Sequence, residues 1–226
     1  MYDLNCEHQN GTYVVNAGSR LRGTGSITGN GGVTLAAANS KLCGSLTVNN
    51  VTATAGGTFG DQWNAVAAKV VGSFTAGGTQ VIENGSLTIG ADCVVTNSAE
   101  VANTTEAAFQ IKSNGNLKLE KALTVAGLTV NAGGTITVTV NNGSVATLTV
   151  SGTATYDGAV NFVIARNGGG ARSNVPLLRS SVAPSLSNCT VSDADGVKQW
   201  MLVVEEDGGV YTVSATPKGG FFIHLR

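Results

Sequence analysis

Side chains able to do chemistry are few in this chain and poorly spaced for it. The two histidines, His8 and His224, lie near opposite termini, so a Ser-His-Asp or Cys-His arrangement would need both ends of the chain at one site. Glu205, Glu206 and Asp207 form an acidic run ahead of Gly208 and Gly209. Carboxylates that cleave glycosides face each other about 5–10 Å apart across a cleft, whereas three consecutive acids at a hairpin tip read as a solvated turn. Asp193 and Asp195 alternate before Gly196 like the opening of a calcium loop, but the later bidentate Glu is missing. Lys112, Lys118 and Lys121, with Glu120, come nearest to the base and acid of a polysaccharide-cleaving site. On an alternating strand, however, Lys118 and Glu120 share the outward face, where a solvated charge pair is the expectation. Cys6, Cys43, Cys93 and Cys189 are too far apart for a zinc site built from close pairs. Cys43 and Cys93 stand in strand-like text as small buried hydrophobes, with an oxidised pair as the alternative. We therefore assign no catalytic residue, no metal site and no cofactor.

The elements that would position any site are strands. In the stretch Leu117–Ile164, pairs such as Leu117/Leu119, Leu123/Val125, Leu128/Val130, Ile136/Val138 and Phe162/Ile164 recur at every second position. Successive side chains on a strand alternate faces, so each pair marks one buried face. Between the pairs stand Gly, Asn and Ser, which supply positive φ and tight corners. Thirty-one Gly, three Pro and only 5% aromatic residues fit many short strands around a thin aliphatic core. With 12% charged residues, the surface has to be built mainly from Thr, Ser, Asn and Gly. A formal net charge of −1 gives no reason to expect nucleic acid, and no run reaches the ~18 apolar residues of a membrane-spanning helix. No basic and then apolar leader is visible at the N-terminus.

Short strands of even spacing predict an all-β coil wound on itself. The phrase GSLTV at 44–48 is echoed by GSLTI at 85–89, GNLKL at 115–119 and ATLTV at 146–150, at intervals of 30 to 41 residues. At about 20 residues per turn, those intervals correspond to roughly one and a half to two turns. Together with VNAGSRLRGTGSITGN and GGVTLAAANSKL, these phrases resemble the repeats of bacterial autotransporter passengers and related strand-repeat surface proteins. The resemblance implies a right-handed parallel β-helix, or β-solenoid, and a location outside the cell or on a bacterial cell surface. Such passengers are usually poor in cysteine and are followed by a membrane barrel; this chain has four cysteines and no trace of a barrel.

The expected organisation is an N-terminal cap strand over 1–16, a parallel β-helix over 17–166, and a small C-terminal β cap over 167–226. Two polar interruptions, near 60–72 and 97–108, read as loops projecting from the coil. The first is expected to open with a short helical turn, with Asp61 as N-cap before Trp63, Val66 and Val70. Binding usually sits on loops held by a rigid scaffold, so Asp61, Trp63, Glu100 and Glu106 are the candidate binding residues. Residues 198–216 read as a hairpin, Trp200–Val204 against Val210–Ala215. Tyr13 and Val15 at one end, and Phe221, Phe222 and Ile223 at the other, are candidate assembly strands, since uncovered coil ends expose backbone groups. The functional expectation is a non-enzymatic stalk, display scaffold or adhesin whose partner is a protein or glycan on a surface. Alternatives are a fibre subunit stacking on copies of itself, and a polysaccharide-acting enzyme.

Overall fold

A computed structural model describes residues 2–4, 7–96, 104–168, 174–196 and 199–218. It is nearly all β and coils into a β-solenoid of about seven turns. Three strands, β1 (Tyr2–Leu4), β2 (Glu7–Gln9) and β3 (Thr12–Val15), form the first turn, and all lie parallel on one long bent strand, β4 (Arg20–Leu35). The stack continues through β5 (Lys41–Ala53), β6 (Gly57–Phe59) with β7 (Val66–Ala76), and β8 (Thr79–Ile89) with β9 (Val94–Thr96). It then runs through β10 (Thr104–Leu119), β11 (Leu123–Val130) and β12 (Thr135–Asn141). A short antiparallel return, β13 (Ser144–Val145), precedes β14 (Leu148–Tyr156) and β15 (Asn161–Asn167).

The register sorts these strands onto three faces. Leu21, Leu42, Phe59, Ile82, Ile111, Val130 and Tyr156 stack on the first. Ile27, Val48, Val70, Ile89, Leu119, Val138 and Ile164 stack on the second. Tyr13, Val33, Val51, Phe74 and Val95 stack on the third. Each alternating pair named from the sequence turns inward, and almost all of these columns are buried, so apolar side chains meet along the axis of the coil. Phe74 of the third face meets Phe59 and Phe109 of the first edge-to-face, with ring centroids 6.2 and 6.5 Å away.

Successive turns differ in length. Seventeen residues separate Leu42 from Phe59 and 29 separate Ile82 from Ile111, one turn in each case. The repeated phrases at 44–48, 85–89 and 115–119 share the second face, and Gly85 lies directly on Gly115, so that interval of 30 is a single turn. The phrase at 146–150 falls on the third face instead, where Leu148 pairs with Leu123.

The C-terminal end leaves the parallel pattern. β16 (Val175–Ser180) lies parallel on β14 at Leu178 and Arg179, while β17 (Thr190–Asp193) lies on β15. β18 (Trp200–Asp207) and β19 (Val210–Pro217) form the expected hairpin, and β19 pairs antiparallel with β16. The ladder extends to Asp207 and Val210, so the acidic run belongs to a strand. Only Gly208 and Gly209, at φ 58° and 82°, make the turn.

Candidate ligand-binding corner

At the corner between the first and second faces, successive turns differ in length. One residue, Cys43, lies there between Leu42 and Gly44; the next turn inserts six, 60–65, between Phe59 and Val66. The following turns place Glu83 and Asn84 between Ile82 and Gly85, then Lys112, Ser113 and Asn114 between Ile111 and Gly115. Because flanking strands stay in register, every added residue must bulge outward, and the six-residue excursion overhangs the polar corners of the next two turns. Both of its ends are pinned: Gly60 N–H donates to Leu42 O at 2.8 Å, and Ala65 O accepts from Gly44 N–H at 2.9 Å. Gly60 has φ +78°, and a Cβ there would lie 2.1 Å from Asn84 O, so only glycine opens this corner without strain.

Inside the excursion, Asp61 organises the backbone. It is 2% exposed, and its Oδ1 accepts from Trp63 N–H at 2.9 Å, Asn64 N–H at 2.8 Å and Asn64 Nδ2 at 3.0 Å. Arg20, two turns away, places Nη2 3.2 Å from Asp61 Oδ2, an ion pair that is not aligned as a hydrogen bond. Arg22 donates to Asn64 Oδ1 at 3.4 Å, and Asn84 Nδ2 donates to Asp61 O at 3.1 Å. Burial pushes the Asp61 carboxyl up, but the hydrogen bonds from Asn64 and Trp63 and the Arg20 charge outweigh it and hold its pKa below the usual value. Cys43 lies buried beneath, its thiol pushed up to about 11 chiefly by burial, then by the Asp61 charge. A thiol so shifted is neutral at physiological pH and acts as packing.

This arrangement replaces the expected helical turn. Asp61 does cap backbone N–H groups, but those of a tight turn; Val66 and Val70 belong to β7 and point inward at strand spacing. Trp63 sits at the tip, 81% exposed. Its chain neighbour Gln62 lines a hollow of about 270 Å³ together with Glu83, Asn84, Lys112, Ser113 and Asn114, the corner residues of three successive turns. No protein-family model, curated protein or solved structure matches this chain. The corner is therefore read from its own geometry.

Glu106 lies elsewhere, exposed at a bulge in β10 between buried Thr105 and Ala107 rather than on a projecting loop. Glu100 lies outside the described residues, as do Cys6, His224, Phe221, Phe222 and Ile223. Tyr13 is half-buried, with its hydroxyl 2.5 Å from His8 Nδ1, and Val15 is buried in the core. Glu120 pairs with Lys69 rather than Lys118, its Oε2 lying 2.7 Å from the lysine Nζ. Gly90, between them in the stack, has no side chain to block that reach. Lys121 donates to Cys93 O at 2.7 Å, so the three lysines read together in the sequence go to separate places. Asp193 forms a buried ion pair with Arg166, and Cys43, Cys93 and Cys189 are free thiols. Among the described residues no three His, Cys, Asp or Glu side chains are grouped to hold a metal.

Sequence reasoning singled out Asp61 and Trp63 but missed Gln62, Glu83, Asn84, Ser113 and Asn114 as lining of the hollow. The signal was present as polar doublets and triplets immediately after an inward Ile, but it becomes readable only once the turns are aligned.

Proposed function

We propose that this chain is a non-enzymatic scaffold working outside the cell or on a cell surface, a stalk that carries an adhesive corner, as the passenger-like repeats imply. About seven turns at ~4.8 Å per turn make a rod of roughly 34 Å, rigid because the strands of its inner turns are bonded to the turns on either side. The observation that carries the reading is the Gly60–Ala65 excursion, where buried charge and backbone hydrogen bonds immobilise a turn whose tryptophan faces solvent. A turn whose backbone is already fixed loses little further backbone entropy on contact with a surface, which favours binding.

The test is retention of labelled protein on surfaces coated with mucin, matrix protein or bacterial polysaccharide, comparing the native chain with Trp63→Ala. Retention that depends on Trp63 is expected. Equal retention of both proteins, or release of new reducing ends from the polysaccharide, overturns the reading.

A second reading, assembly with other copies, is favoured by one feature. Among the described residues β1, β2 and β3 pair only with β4, leaving the outer edge of the first turn without a strand neighbour. Rods or dimers in electron micrographs support it; uniform monomers at high concentration count against it.

A further inference from the structure

We propose that the corner hollow is a subsite for a neutral glycan, with one sugar ring stacked on Trp63 and its hydroxyls held by the corner residues of the next two turns. The proposal rests on the adhesive reading above and specifies the ligand's chemistry. Three observations carry it.

The first is the composition of the lining. Gln62, Asn84 and Asn114 each offer an amide that both donates and accepts, and Ser113 adds a hydroxyl. Sugar hydroxyls also both donate and accept, so such a surface matches them better than it matches an apolar ligand. The second is charge. Glu83 and Lys112 supply one negative and one positive group to the same hollow, so their charges cancel. An acidic polysaccharide would meet Glu83 without the surplus of cations it needs, whereas a neutral ring meets a donor and an acceptor. The third is Trp63. Aromatic rings with a polar handle serve where a ligand has one apolar and one wet face, as a pyranose does. Trp63 follows Gln62, which lines the hollow, in a turn whose backbone Asp61 locks, so its exposed side chain starts one residue from the hollow's rim. At about 270 Å³ the hollow lies just below the ~300–1,000 Å³ of clefts that enclose whole ligands. It suits one ring of a longer chain that passes over the surface.

The two tryptophans make the test direct. Trp200 is 5% exposed and Trp63 is 81% exposed, so quenching of the native fluorescence by acrylamide or iodide reports Trp63. The probes are soluble gluco-, manno-, galacto- and xylo-oligosaccharides, with uronic-acid oligomers as the charged comparison. At least one neutral series is expected to protect Trp63 from quencher. Titration calorimetry of that sugar should then show binding weakened about tenfold or more in Trp63→Ala. Asn114→Ala, exposed on the hollow's floor, should weaken it by roughly threefold. Circular dichroism confirms that both variants keep the coil. The proposal is overturned if no neutral series protects Trp63, if only the uronic-acid oligomers do, or if Trp63→Ala binds within a factor of about two of native. Trp63-dependent retention on coated surfaces with no neutral sugar bound would sink the glycan assignment and leave the adhesive reading standing. Retention independent of Trp63 removes the adhesive reading itself.

Discussion

At the Gly60–Ala65 corner, buried Asp61 faces Arg20 and its neighbour Trp63 is 81% exposed; at the C-terminal cap, buried Asp193 pairs with Arg166 and Trp200 is 5% exposed. The residue types match, but register separates their roles. Asp193 stands on a strand directly above Ile164, so Arg166 is in the adjoining turn and lies over the Trp200 ring at 5.5 Å, a cation–π contact that draws the indole into the coil end. Asp61 is out of register, and its Oδ1 is occupied by the N–H groups of its own turn, so the tie to Arg20 fixes the backbone and leaves the indole outside. The same chemistry closes the coil at one place and displays a side chain at the other. The charge pair matters less than whether the aspartate lies within the ladder or beside it.

If that contrast is right, truncating the two tryptophans should have opposite consequences. Trp200→Ala opens a cavity in the cap and should cost about 3–5 kcal/mol, read as a lower urea midpoint. Should the midpoint barely move, Trp200 is not what closes the end. An intermediate effect is expected for Asp61→Asn, which keeps the shape but removes the charge from the hydrogen bonds and the Arg20 pair, at roughly 1–2 kcal/mol. This effect should depend on pH in a defined direction. Because the folded-state pKa of Asp61 is lowered, its contribution is complete above the unfolded value near ~3.9 and is lost as pH falls through the lower folded value. Native protein and Asp61→Asn should therefore converge in stability below about pH 4, and a difference that widens in acid would break the account. The smallest effect is expected for Trp63→Ala, within about 0.5 kcal/mol by the same urea titration, since its ring is almost wholly solvated. A large loss there would mean that Trp63 packs against the coil after all, and the contrast with Trp200 would collapse.

The inward columns were readable before any coordinates because alternation is a local property. Leu117 and Leu119, or Phe162 and Ile164, must share a face wherever their strand goes. The hairpin at Gly208 and Gly209 was readable for the same reason, since two adjacent positive-φ residues select the turn. The segment after Phe59 was misread as helical because NAVAAKVV spaces Ala and Val at both helical and strand intervals; pairing of Val66 with Gly44 and of Val70 with Val48 decides between them. Lys69 was missed as the partner of Glu120 because the two are 51 positions apart and become neighbours only through stacking across Gly90.

From its sequence alone, this chain is committed to short alternating strands, glycine corners, a mostly uncharged polar surface and a coil as the way to bury one face of each strand. These follow from side-chain period and backbone sterics, which act within a few residues. Tertiary structure alone decided which turns lie on which. That stacking holds residues 60–65 outside the ladder and assembles Gln62, Glu83, Asn84, Lys112, Ser113 and Asn114 from three turns into one hollow. The physical reason is that stacking register is a long-range quantity, set by the summed packing of all the inward columns, and no local stretch of sequence contains it.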